Sequence, residues 1–179
     1  MTRTLLTLCL LFGTLLSQAQ KAYEKQSKGK EFPKDIKQSE LLIFSPFKED
    51  KARHQKLEGI AATYSGKSVV VASNSPMPMT ERIDPKHKYF VLVFRDVQLS
   101  QNENQSTYSV SLWNAGDPKL LQMRQKAQAA MASANPQAEL AKLMMDEKAL
   151  PEPMISLSAQ NDWDGMLTFL LGKLNESAD

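Results

Sequence analysis

Thiol chemistry is almost missing from this chain: its 179 residues contain a single cysteine, Cys9. Cys9 sits inside an early apolar stretch, too far upstream of any processing site to carry a lipid there, so no lipid anchor is expected. A disulfide framework is excluded as well, and the fold must rest on a hydrophobic core. Glycine is scarce, with seven residues, and none of them builds a phosphate loop. The turn after the first predicted strand reads Ser45-Pro46-Phe47-Lys48, which offers no glycine for backbone to approach a phosphate, so nucleotide chemistry is disfavoured. No apolar run reaches the ~20 residues of a membrane-spanning helix. Nor is there an excess of one charge: 22 basic residues face 20 acidic ones, which removes the bulk electrostatic argument for nucleic acid. Aromatic and basic residues are not interleaved along any strand as single-strand binders require.

What is present begins with a leader. Arg3, the apolar stretch Leu5 to Leu16 and the small, polar Ser17-Gln18-Ala19 follow the order of a cleavable secretory signal, which places residues 1–19 in the signal and the cut before Gln20 or one residue later. The ending Ser17-Gln18-Ala19-Gln20 resembles that of exported bacterial proteins, which implies a periplasm. The mature product is expected to be soluble, periplasmic or extracellular. Its ~160 residues can bury roughly 70% of the surface of the unfolded chain, enough for one domain. Residues 20–39 are rich in Lys, Glu, Gln, Ser and Gly, and read as a flexible polar leader whose only docking point is Phe32-Pro33. The single domain then spans 40–179.

Within it, Leu41 to Phe44 is a short apolar run of the kind buried on both faces of a sheet. Leu57, Ile60, Ala61 and Tyr64 follow at helical spacing, ended by Ser65-Gly66. Val69 to Val71 is a second buried strand, and strand, helix and strand make a parallel βαβ unit. Ser73 to Lys88 holds three prolines and no period and reads as a long loop. Tyr89 to Phe94 is a central strand. Tyr108, Val110 and Leu112 alternate with Ser109, Ser111 and Trp113, predicting a half-exposed strand that pairs with it as an antiparallel hairpin. Asp117-Pro118 and Asn135-Pro136 each supply an N-cap and a first-turn proline, starting one helix that runs to about Ala134 and another that ends before Pro151. Met154 to Leu157 is a short fifth strand. Trp163, Met166, Leu167, Leu170, Leu171 and Leu174 form the stripe of a closing helix. The fold class is therefore α/β: a mixed four- or five-stranded sheet with helices packed on it.

The chemistry-bearing patterns are sparse. Met77-Pro78-Met79 with His87 nearby has the ligand types of a soft copper site, although Met123, Met131, Met144 and Met166 sit at helical spacings that also place them in a core. Asn161-Asp162-Trp163-Asp164-Gly165 fails the calcium-loop template, because a Gly165 at its sixth position puts Gln160 first and Leu171 twelfth, where a carboxylate is needed. Asn161 or Asp162 as helix cap explains the same residues. Ser45, His54 and Asp96 have the types of a nucleophile, a base and an orienting acid, without a nucleophile-elbow pattern around Ser45. From Gln137 to Asp179 the chain is acidic, with Lys142, Lys148 and Lys173 set against eight carboxylates.

These observations favour an exported module of the cell envelope that binds an unknown protein or small molecule without catalysis, and no cofactor or resident metal is expected. A hydrolase with dispersed catalytic residues and a periplasmic copper handler are the alternatives. A small-molecule site is expected beyond the carboxyl ends of the first two strands, at Ser45, Lys48, Asn74 and Ser75. An interaction face is expected on the closing helix at Phe169 and Lys173, open to the leader's Phe32 or to a second protein.

Overall fold

A run of five buried residues, Leu41–Ser45, forms β1, the strand on which the fold is organised. The computed structural model describes residues 18–73, 83–84, 86–96, 106–145 and 150–177, with the side chains of Asp96 and Met144 excepted. Met77, Met79, Asn74 and Ser75 lie outside the described residues, as does the stretch 1–17.

The sheet has five strands in the order β2-β1-β3-β4-β5: β2 is Ser68–Ala72, β3 Tyr89–Asp96, β4 Thr107–Asn114 and β5 Ile155–Gln160. β1 pairs in parallel with β2 and β3, whereas β3–β4 and β4–β5 are antiparallel. Helices α2 (Lys51–Ala61), α3 (Pro118–Met131), α4 (Pro136–Met145) and α5 (Trp163–Ser177) pack on this sheet together with α1, the helical residues 18–27. The sheet is thus mixed, and the fold is α/β.

Because side chains alternate across a strand, the two faces carry separate cores. On one face Leu41, Ile43, Val91, Val110 and Leu157 meet Leu57 of α2, Met166 and Leu170 of α5 and Tyr23 of α1. On the other, Leu42, Phe44, Phe90, Leu92 and Trp113 meet Leu120 and Met123 of α3. This second layer changes the reading of β4. Ser111 and Trp113 are buried rather than exposed, and the Trp113 Nε1 donates to Ser111 Oγ at 2.8 Å, so the polar alternation hides a covered face whose hydroxyl is satisfied internally.

The helix starts follow local chemistry. Asp50 Oδ1 accepts from Arg53 N at 3.0 Å, Asp117 Oδ1 from Leu120 N at 3.0 Å and Asp162 Oδ1 from Gly165 N at 3.1 Å; each meets an amide that has no partner within its helix. Before Asp162, Asn161 adopts φ +52, a left-handed turn that asparagine tolerates better than most residues. Its side chain accepts from Ser106 N at 3.0 Å and its amide donates to Ser106 O at 2.9 Å, which sets the direction in which α5 departs.

The segment expected to be a flexible leader packs against the domain at several points instead. Tyr23 is 4% exposed and Ile36 is 0% exposed, and Pro33 is buried too. Asp35 accepts from Tyr89 Oη at 2.6 Å and from Lys88 Nζ. Gln26 presents its amide to β5, with Ser158 N donating to Oε1 at 2.7 Å and Nε2 donating to Ser158 O at 3.1 Å. A low overall hydrophobicity therefore coexists with a few deeply placed anchors, each coupled to a polar bond.

Candidate functional site

Of the four residues expected beyond the strand ends, the described ones are Ser45 and Lys48. Ser45 ends β1 and is 1% exposed; Lys48 is exposed on the following turn. Ser45 Oγ accepts from Phe47 N at 3.2 Å and lies 3.0 Å from His54 Nδ1. With the serine donating to Nδ1, the Nε2 proton faces Glu58, whose Oε1 is 3.6 Å away. A hydroxyl, an imidazole and a carboxylate thus stand in series, with Glu58 one helical turn past His54; the side chain of Asp96, the acid expected from the sequence, lies outside the described residues. Asp96 lies four positions past Leu92, the residue opposite Phe44. The serine is closed in by its own turn, so the series ties β1 to α2.

His87 is buried, with Nδ1 3.0 Å from the Glu40 carbonyl and 3.6 Å from the Glu40 carboxylate. No group of three His, Cys, Asp or Glu residues positioned for a metal occurs among the described residues.

Two surface hollows stand out, and neither is lined by Ser45 or Lys48. One, of about 490 Å³, lies between α3 and α4 beside Ala129, Leu143 and the Lys142–Glu139 ion pair, 2.7 Å long. The larger, of about 690 Å³, is a groove bounded by α1, α2 and α5. Its apolar surface comes from Ala19, Ile60 and Phe169, and Gly172 and Thr168 line the α5 side. Lys56 pairs with Asp164 on one flank, and Lys173 pairs with Glu176 at 2.8 Å on the other.

Both residues of the expected interaction face line this groove. Phe169 is half-buried, its ring 5.7 Å from that of Tyr23 at 55°, with the Lys173 ammonium 6.0 Å from its centroid. The leader does cover this face, through Tyr23 and not through Phe32. The Tyr23 hydroxyl donates to Asp162. Burial, reinforced by the neighbouring Asp162 carboxylate, pushes the Tyr23 pKa well above the usual phenol range.

Gly172 is informative because a β-carbon added there would meet nothing within 4 Å. Gly165, also on the wall, differs: a β-carbon there would collide with the Asp162 carboxylate, so the helix cap requires that glycine. No packing within the described residues requires the one at 172. The groove was not legible beforehand, since its α1 wall comes from a segment whose composition reads as unstructured.

No protein-family model, curated protein or solved structure matches this chain.

Proposed function

We propose that this chain is an exported protein of the cell envelope that acts by binding, and that its ligand seats in the groove between α1, α2 and α5. The observation that carries the proposal is Gly172. A glycine inside a helix costs about 1 kcal/mol relative to alanine, and at 172 a side chain would have free room. Its presence at that position is accounted for if a ligand approaches the α5 backbone closely. The lining selects a compact apolar group, carried over Phe169 and Ile60 and flanked by the two ion pairs. The expected signal cut before Gln20 falls within α1 and removes Ala19 from the groove's lining, while Gln20 and Tyr23 of the α1 wall stay in the mature protein.

A fragment screen read by amide NMR, with small aromatic and alkyl compounds as probes, tests this. Shifts should gather on α5 and on residues 20–27, and Gly172→Leu should abolish them while leaving the remaining spectrum in place. Shifts centred elsewhere, or unaltered by Gly172→Leu, would sink the proposal.

The hydrolase reading has the Ser45, His54 and Glu58 series in its favour, and the burial of Ser45 supports a structural role for it. Copper handling rests on Met77 and Met79, outside the described residues, and on a His87 already engaged with Glu40.

A further inference from the structure

The two edges of the sheet are treated differently. At β5 the Gln26 amide occupies both the N–H and the C=O of Ser158, as a neighbouring strand would. At β2 the edge is Ser-Val-Val-Val-Ala. It has no proline, no charge and no bulge, the devices by which exposed edges are usually blunted.

Two bonds fix which backbone groups point outward. Leu41 N donates to Lys67 O at 2.8 Å, and Ser73 N donates to Ser45 O at 3.0 Å. Residues that bond to one side of a parallel ladder alternate with those that bond to the other. Lys67, Val69, Val71 and Ser73 therefore turn their groups toward β1, and Ser68, Val70 and Ala72 turn theirs outward. Among the described residues no backbone partner meets them there. On the face carrying α3, Val69 and Val71 each remain 37% exposed, so the cover of that face stops short of β2.

We infer that this edge is a homodimer interface, in which β2 pairs antiparallel with β2 of a second copy about a two-fold axis through Val70. The register follows from the ladder. The outward-facing residues must form the hydrogen-bonded pairs, so Val70 meets Val70 and Ser68 meets Ala72, each pair exchanging two bonds. Val69 of one copy then lies directly across from Val71 of the other, ~4.5 Å apart between Cα atoms. The sequence is nearly palindromic about Val70, so each residue meets one of similar size and character, as a two-fold interface demands. The valines left exposed in each copy become one continuous β-branched patch over the two paired β2 strands, at the centre of a ten-stranded sheet. The small formal charge of +2 does not oppose association of two copies.

Sedimentation of the full mature chain, with charge exchange, tests the inference. The wild type should reach twice the monomer mass as concentration rises. Val69→Lys/Val71→Lys and Val69→Glu/Val71→Glu should each stay monomeric, because like charges then face one another in both outer pairs. Mixing the two variants should restore the dimer. As a size-conserving control, Val69→Cys mixed with Val71→Cys should cross-link under oxidation. Either variant alone places its thiols on a diagonal ~7–8 Å long, beyond comfortable disulfide reach, and should not. A wild type that stays monomeric, charged variants that still dimerise, or a cross-link that forms equally in the single variants would overturn the pairing.

Discussion

The hydroxyl of Tyr23 donates to Asp162, the same carboxylate whose other oxygen accepts from Gly165 N at the first turn of α5. One residue therefore caps the closing helix and anchors the leader, 139 positions away in sequence. Tyr23→Phe keeps the ring against Phe169 and removes only this bond. Its expected cost is about 1.5–3 kcal/mol, the range for hydrogen bonds to charged groups, read as a lower urea midpoint at unchanged slope.

On a free helix face Phe169→Ala would be nearly neutral. The Tyr23 contact changes that expectation to a loss of about 1–3 kcal/mol, below the cost at a fully buried site because the ring is half-exposed. The double substitution with Tyr23→Ala should cost less than the two singles added together, by about 0.5–1.5 kcal/mol for the ring pair. Strict additivity would show that α1 does not rest on α5 in solution.

Charge at the other leader anchor makes stability depend on pH at both extremes. The bond from Lys88, with that from Tyr89 second, holds the Asp35 carboxyl below its ordinary value. Its contribution is present above the unfolded pKa and is lost as pH falls through the lower folded one. Asp35 in turn raises Lys88, and burial followed by Asp35 raises Tyr89. Those contributions are complete below the unfolded values and fade as pH rises through the folded ones. Asp35→Asn should flatten the acid limb of stability against pH and weaken the alkaline limb, as measured by urea midpoints across the range. An acid limb unchanged in Asp35→Asn would place the sensitive carboxylate elsewhere.

How much of this could be read beforehand depends on where each signal resides. The N-caps Asp117 and Asp162 and the stripe from Trp163 to Leu174 are local patterns, and the structure bears them out. The parallel sense of β1 and β2 and the antiparallel hairpin of β3 and β4 were equally legible, whereas the parallel pairing of β1 with β3 and the antiparallel pairing of β5 with β4 were not. Burial of Ser111 and Trp113 was not, because it depends on α3 lying over β4, and a serine satisfied by a neighbouring indole looks the same in sequence as one facing water. The docked leader escaped for a similar reason. Its affinity is concentrated in Tyr23, Gln26, Asp35 and Ile36, while an average over residues 20–39 registers only polarity. Ser45 and His54 have the residue types of such a series in the sequence, but Glu58, 3.6 Å from the ring, became identifiable as their neighbour only when α2 placed it one turn past His54.

Gly172→Ala separates the groove from simple packing. The added methyl group meets open space, so the helix should gain about 0.5–1 kcal/mol. A gain in melting temperature together with weaker fragment binding would mean that stability was given up for access to the α5 backbone. A loss of stability would show that the helix wall is closed by something that the described residues do not include.

Tyr64 offers the sharpest check on the core itself. Its ring is buried, burial raises its pKa, and its hydroxyl has no hydrogen-bond partner among the described residues. Taking such a hydroxyl out of water without compensation costs about 1–3 kcal/mol by protein mutational data. Tyr64→Phe keeps the ring and removes that cost, so the variant should be as stable as the wild type or more so, by up to the same amount. The adjacent turn gives the opposite result. A β-carbon at Gly66 would stand 2.7 Å from the Tyr64 ring, so Gly66→Ala should destabilise through a clash that a side chain fixed in the core relieves poorly. Combining the two substitutions leaves the clash in place, since phenylalanine keeps the colliding ring carbons. A destabilised Tyr64→Phe would mean instead that the hydroxyl is satisfied in solution, by an internal water held between the end of α2 and the turn before β2.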